Sequence, residues 1–308
     1  MSSLRRLAAL VCCLAVVGVT SACQPGVAAP PATTATTPAE PDFSRPGAAL
    51  GMVQQLIAAA GTTRLIMVEI EIDTVSVSVL TDGRPVTWAY RGGTIGEVAS
   101  DMAYVDQASF AIDAFNISDV GALFRAAAGA SGSDENQTLQ IVDYSGGEVM
   151  MAVSTVPESR TVFFNPDGSL LETLDFNTQG GITRGIAEAV GTRTSVHRLA
   201  VQSDVGAWVD FPGEKGRTVR RQRTEKVPVT TNVRAETLDL PLFDPRLVDA
   251  AAIWSVVDGV VGSPDVPEGS AWSVIVDDRD GIGVPRMHFS IGSRVLITDL
   301  GGNPVRPE

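Results

Sequence analysis

The chain has 308 residues, of which 44% are hydrophobic and 19% charged; that balance excludes an intrinsically disordered protein and fits a folded globular one. Its 23 Lys plus Arg stand against 36 Asp plus Glu, a formal charge of −13, which disfavours nucleic acid or an anionic lipid surface as a general partner.

Residues 1–22 read as an export signal. Arg5 and Arg6 supply the positive start, and an apolar stretch runs from Leu7 to Gly18. The stretch is short for a membrane span, which takes about 20 apolar residues. Removal of Arg5 and Arg6, with no acid alongside them, would take the formal charge from −13 to −15. Cys12 and Cys13 lie inside the signal, so Cys23 is the one thiol left in the mature chain. A lone cysteine in an exported protein needs an explanation. Residues 23–42 then form a Pro-, Ala- and Thr-rich tether, as in Pro30-Pro31-Ala32-Thr33-Thr34. Such a segment has too little apolar surface to order itself, and as polyproline it extends by about 3.1 Å per residue.

From residue 43 a punctuation recurs four times. An aromatic residue followed by a small polar one occurs as Phe43-Ser44, Phe115-Asn116, Phe176-Asn177 and Phe243-Asp244. Each pair is expected to start a helix, the polar residue capping it and the Phe folding back as a staple. Helical spacing follows in Leu50, Val53 and Ile57; in Val120, Leu123, Phe124 and Ala127; in Ile182, Ile186 and Val190; and in Val248, Ala252, Val256 and Val260. Gly61, Gly129, Gly191 and Gly262 are the expected stops. After each helix the period drops to two, as in Val75, Val77 and Val79 or Met287, Phe289 and Ile291, which marks strands with one buried face. In each stretch a small residue, an arginine and a β-branched or aliphatic residue recur at Gly83-Arg84, Ser159-Arg160, Gly216-Arg217 and Ser293-Arg294.

The expected fold is therefore α+β: four helix-plus-three-strand (αβββ) repeats, with antiparallel sheets carrying helices on one face. One such unit cannot bury much core alone, so units must share a sheet or a helix layer. The loosest joins are residues 94–112 and 165–181. The second suggests a boundary, with repeats 1 and 2 in residues 43–175 and repeats 3 and 4 in 176–308.

Val19-Thr20-Ser21-Ala22-Cys23 resembles the lipobox of bacterial lipoproteins, with small residues just before the cysteine and Thr20 where an aliphatic residue is usual. The resemblance implies cleavage before Cys23, acylation of its thiol (palmitate or a similar chain), and anchorage on the extracytoplasmic face of the cell membrane. The Ala/Thr/Pro tether is similar to those of actinobacterial envelope lipoproteins. The helix-plus-meander order from residue 43 onward resembles PepSY-type repeats and the tandem-repeat β-lactamase inhibitory protein, in element order alone; no functional residue carries over.

Catalytic and metal-binding signatures are not found in the sequence. His197 and His288 are far apart in sequence, and no spare cysteine accompanies them. His197 shares strand parity with Leu199 and Val201, as a partly buried structural residue would; His288 has the parity of Arg286 and Ser290, that of a solvated sheet face. Asp277-Asp278-Arg279-Asp280-Gly281 lacks the spacing of a calcium loop and reads as a hairpin turn. No catalytic residue, metal site or cofactor is assigned, and the chain is expected not to be an enzyme.

Against the acidic background, Lys215, Arg217, Arg220, Arg221, Arg223 and Lys226 form a cationic strip. It reads either as an anion- or partner-docking surface or as charge on an edge strand that blocks unwanted pairing, Pro228 agreeing with an edge; pairing with the acidic surface is a further option. The expected function is a non-catalytic, membrane-anchored envelope lipoprotein that binds or regulates a protein. The alternative is a carrier or sensor of an apolar envelope ligand such as a lipid, which needs an apolar cavity of several hundred Å³.

Overall fold

A computed structural model describes residues 41–99, 106–155 and 160–305. The export signal, Cys23, the tether up to residue 40 and Ser159 lie outside the described residues.

Four helices form where the 3.6 period lies: α1 (Ala48–Ala60), α2 (Val120–Ser131), α3 (Gln179–Val190) and α4 (Ala250–Asp258). Each buries one stripe: Ala49, Val53 and Leu56 on α1, for instance, and Ala250, Ile253 and Val257 on α4. The caps differ from expectation. Asp119, Thr178 and Asp249 cap α2, α3 and α4 by accepting from Ala122, Gly181 and Ala251 N–H, while α1 starts at Gly47 without a side-chain cap. Phe43, Phe115, Phe176 and Phe243 are buried in the cores instead, and their polar neighbours bond elsewhere, Asn177 Oδ1 accepting from Trp272 Nε1 at 3.1 Å. Asp244, for example, caps the short 3-10 turn at Pro245–Leu247. Gly61 and Gly191 do end their helices, but α2 ends on Gly132 and α4 on Gly259, not on Gly129 and Gly262.

The strands following α1 are β1 (Leu65–Ile70), β2 (Val75–Thr81), β3 (Arg84–Arg91) and β4 (Thr94–Val98); those following α2 are β5 (Thr138–Ser145), β6 (Glu148–Ser154) and β7 (Thr161–Phe164). After α3 come β8 (Arg198–Gln202), β9 (Gly206–Pro212), β10 (Thr218–Arg223) and β11 (Thr230–Arg234), and after α4 come β12 (Trp272–Asp277), β13 (Arg286–Ile291) and β14 (Arg294–Thr298). Among the described residues the fold is thus α+β, with four α-helices and two seven-stranded antiparallel sheets. The stretches after α1 and α3 carry a fourth strand that their sequences did not announce; β4 lies within the presumed loose join at 94–112.

The sheet orders are β4-β3-β2-β1-β5-β6-β7 and β11-β10-β9-β8-β12-β13-β14, the same order twice. In each, two meanders start side by side at the centre and grow outward. The central registers are Val68↔Ile141 and Leu199↔Val276. The alternation assigns one face to the helices. Val68, Ile70, Val75, Val77, Leu139, Ile141, Met151 and Val153 join the buried stripes of α1 and α2 in one core, and Leu199, Val201, Val209, Val274, Val276, Met287 and Phe289 join those of α3 and α4 in another. Burial at about 25 cal/mol per Å² of apolar surface is the main force holding each layer pair together. Among the described residues no helix is long and apolar enough to cross a membrane.

The contact between α3 and its sheet is close at one point. A Cβ on Gly185 would lie 2.3 Å from a ring carbon of Phe176 and 3.3 Å from Ala207 Cβ. We predict that Gly185→Ala lowers the unfolding free energy by about 1–3 kcal/mol, the usual cost of overpacking, as measured by urea denaturation. An unchanged midpoint would contradict this packing.

Candidate functional site

The cationic strip falls around β10, and β10 is not an edge. It pairs with β9 on one side and with β11 on the other, so edge protection belongs to β11 and not to the arginines. Period-two alternation distributes the strip over both faces. Arg221 and Arg223 stand opposite Val209 and Ala207 on the helix side; Arg220 and Gln222 stand opposite Asp210 and Trp208 on the other. Lys215, Arg217 and Lys226 are exposed in the flanking turns, with Lys226 3.7 Å from Glu225. The structure therefore brings Arg220, Arg221 and Arg223 into internal bonding and leaves the other three at the surface.

Arg223 is fully buried. Its Nε donates to Glu188 of α3 at 2.6 Å, one Nη to the Glu172 carbonyl at 2.6 Å, and the other Nη to the carbonyls of Val227, at 2.9 Å, and Thr224. Glu188 also receives Arg184 at 2.6 Å, and Leu174 N–H donates to the Glu225 carbonyl at 2.9 Å. One guanidinium thus ties α3, the segment before it and the β10–β11 turn into one body. Arg221 reaches further. Its Nε donates to the Ala189 carbonyl at 3.3 Å, and its Nη1 pairs with the carboxylate of Glu148, on β6 of the other sheet.

The edge strand β11 meets that same hairpin. Ser145 Oγ donates to the Thr231 carbonyl at 2.8 Å and accepts from Thr231 N–H at 3.2 Å. Gly146, at φ 63°, lets the backbones close: a Cβ there would lie 2.9 Å from the Thr231 carbonyl oxygen. Beside this junction is a hollow of about 140 Å³ lined by Val149, Met150, Phe164, Leu171, Pro228 and Val229, among others.

On the helix-free face of the second sheet two carboxylates are buried. Asp210 takes Arg220 bidentately, both bonds at 2.7 Å, and the same guanidinium lies 3.4 Å over the Trp208 ring. Such charge-assisted, doubly held pairs fix geometry as well as charge. Asp277 takes Arg279 at 2.7 and 3.0 Å and Arg198 at 3.3 Å. His288 Nε2 stands 3.7 Å from Asp277 Oδ1, too far for a hydrogen bond, and the ring is largely buried rather than solvated as its parity suggested. Burial, then the Arg279 charge, pushes the His288 pKa below its ordinary value, with Asp277 opposing. His197 is half-buried, its Nδ1 2.6 Å from the Leu240 carbonyl. Asp278, next to Asp277, accepts from Ile282 and Gly283 N–H at 3.0 and 2.9 Å and so organises the hairpin turn. Among the described residues no group of three or more His, Cys, Asp or Glu could hold a metal ion.

The partners Glu148, Glu172, Glu188 and Asp210 were not singled out by sequence. The one available signal was parity: arginines at successive positions of a strand cannot all face water on one side.

No protein-family model matches the sequence, and no curated protein does. Among solved structures the chain is similar to the H. pylori β clamp in complex with 5-chloroisatin, at 11% identity and a TM-score of 0.16, covering 84% of this chain and 61% of that one. It is also similar to the DNA polymerase III β subunit of Thermotoga maritima, at 13% identity and a TM-score of 0.17, covering 88% of this chain and 68% of that one. A superposition this loose carries nothing about this chain's function.

Two predictions follow from the buried charges. Arg223→Ala leaves three carbonyls and one Glu188 oxygen without this donor, Arg184 remaining on the other oxygen, and should destabilise the protein by about 3–5 kcal/mol, measured by denaturant titration; a loss below about 1 kcal/mol would contradict the assigned bonding. For His288, a folded pKa below the unfolded value of 6.5 means that the unfolded chain binds more protons between the two. Its contribution is fully present above pH 6.5 and declines as pH falls through that value toward the folded pKa. His288→Gln should therefore show a shallower loss of stability on acidification than the parent protein. Parallel curves would refute it.

Proposed function

We propose that this protein is a non-catalytic lipoprotein of the bacterial cell envelope, anchored through an acylated Cys23 on the extracytoplasmic face of the membrane, and that it works by binding or regulating another protein. We further propose that its folded part consists of four helix-plus-meander units in two tandem pairs, residues 43–175 and 176–308, the first unit of each pair extended by a fourth strand.

The observation that carries the non-catalytic reading is the bonding of the buried charges. Asp210, Asp277 and Arg223 each have their partners within the chain, and charges held this way serve architecture, since a reacting group needs a free lone pair or proton; His288 Nε2 lacks a partner, but it is buried away from solvent. The tether and the lipobox-like Ser21-Ala22-Cys23 support the anchor, and two acyl chains or an equivalent second signal would make it stable. A lipid carrier draws less support: it needs a continuous apolar pocket of several hundred Å³, whereas the hollows of about 360 to 650 Å³ carry charged and amide side chains, such as Asp113 and Asn116 or Glu172 and Gln179, and the one at the junction has about 140 Å³.

In the native host, Cys23→Ser should move the protein from the membrane fraction to the soluble or secreted fraction, and mass spectrometry of the wild-type N-terminus should find a diacylglyceryl-modified Cys23. Unchanged membrane retention together with an unmodified Cys23 would remove the anchor. Cross-linking of intact cells followed by affinity capture should yield a defined protein partner, whereas stoichiometric bound lipid in native mass spectra would favour the carrier.

A further inference from the structure

The two sheets correspond strand by strand, and their registers extend this to residues. Val68↔Ile141 matches Leu199↔Val276, and Val77↔Trp88 matches Val209↔Arg221. Continuing outward, Trp88↔Glu97 matches Arg221↔Thr231. So β4 takes in the first sheet the place that β11 takes in the second. Glu97 stands where Thr231 stands, and Ile95 where Val229 stands. The hairpins correspond likewise. Asp143 organises the β5–β6 turn by accepting from Gly147 N–H at 3.1 and 3.0 Å, as Asp278 organises the β12–β13 turn. By the same count Ser145-Gly146 is matched by Asp280-Gly281.

Within the chain, β11 docks on the β5–β6 hairpin at Ser145 and Gly146, and Arg221 of the neighbouring β10 pairs with Glu148 of the same hairpin. The corresponding pair of surfaces, β4 and the β12–β13 hairpin, is left over at the two ends. Among the described residues β4 pairs only with β3. Both left-over surfaces show aliphatic side chains to solvent: Ile95 is 38% exposed on β4, and Ile282 and Val284 are 52% and 56% exposed on the hairpin.

We propose that β4 of one copy docks on the β12–β13 hairpin of a second copy, repeating between chains the junction that already joins the two sheets within one. Such a contact is heterologous, so it closes a ring if the rotation permits and otherwise propagates. Its chemistry is shifted from polar to apolar. Trp88 stands in the place of Arg221, and Ile282 and Val284 crown the hairpin that would face it, so hydrophobic burial replaces the Arg221–Glu148 pair. The backbone contact is weaker than its internal counterpart. Ser145 both donates and accepts; Asp280, held at 3.2 Å by Arg286, can only accept. Glu97 and Asp280 also bring like charges together. The contact is therefore reversible and concentration-dependent, unlike the internal one, and it does not depend on the lipid anchor or on any other partner.

The test is sedimentation equilibrium of the full chain in density-matched detergent, from micromolar to near-millimolar concentration. The average mass should rise with concentration, and Ile282→Asp with Val284→Asp should weaken the association at least about tenfold, or about 1.4 kcal/mol. Circular dichroism and thermal unfolding of the same variant control for folding, since both positions are exposed. Site-directed cross-linking gives a second readout. A mixture of differently tagged Ile95→Cys and Val284→Cys chains should form a mixed disulfide dimer above whatever background the chain's own cysteines give in the wild type, and neither variant alone should do so. A mass that stays monomeric over the whole range, or a mixed product no more abundant than either homodimer, overturns the proposal; so does association that the double substitution leaves unchanged.

Discussion

A buried guanidinium with its bonds completed by the chain itself is the constraint around which the second half is organised. Burying an arginine costs several kcal/mol unless every donor direction finds an acceptor. Arg223 meets that demand only when Glu188, the Glu172 carbonyl and the Thr224–Val227 turn are all in place. A helix, a connecting segment and a turn from three parts of the sequence are thereby held in one arrangement. Arg221 beside it extends the same logic across the junction to Glu148. The polar contact between the sheets thus depends on the β10 alternation being in correct register, because a one-residue slip would exchange the faces of all these arginines.

The matched positions of the first sheet show a different solution on the same backbone. Where Asp210 and Arg220 form an ion pair, Ser78 and Thr87 share a buried hydroxyl–hydroxyl bond of 2.8 Å. Where Arg223 reaches toward α3, Tyr90 packs edge-on against Phe43, their rings 5.5 Å apart. Each pair completes its bonding or packing internally, as groups buried in a low dielectric must. Beside the apolar core that each half has, these positions carry neutral polar and aromatic contacts in the first half and charged ones in the second. That difference explains why the junction is charged on the inside of the molecule while aliphatic side chains mark the matching surfaces at its ends.

Much of the architecture was legible along the chain. Val53, Leu123, Ile182 and neighbours of the same period identified four helices, and the alternation of Val75, Val77 and Val79 or Met287, Phe289 and Ile291 identified which face of each strand is buried. The arginine that follows a small residue in each stretch falls at or just before the start of β3, β7, β10 and β14. The helix starts were misjudged because Phe43, Phe115, Phe176 and Phe243 are core residues, and the capping oxygens belong to Asp119, Thr178 and Asp249 a few positions downstream. β4 and β11 were missed because Thr94–Val98 and Thr230–Arg234 show little apolar alternation: an edge strand is held by its backbone bonds on one side and need bury little.

The sequence by itself determined the local periods, hence the helices, the buried faces of the strands and the α+β class, because those depend on spacing between near neighbours. It also marked an unusual cluster of cations in an acidic chain. Only the tertiary structure decided what those cations do. Glu148, Glu172, Glu188 and Asp210 lie between 10 and 73 positions from the β10 arginines they meet, and no rule of local spacing relates those pairs. Their meeting follows from the order of strands in two sheets and from the cost of leaving a charge buried alone, both of which are properties of the folded whole.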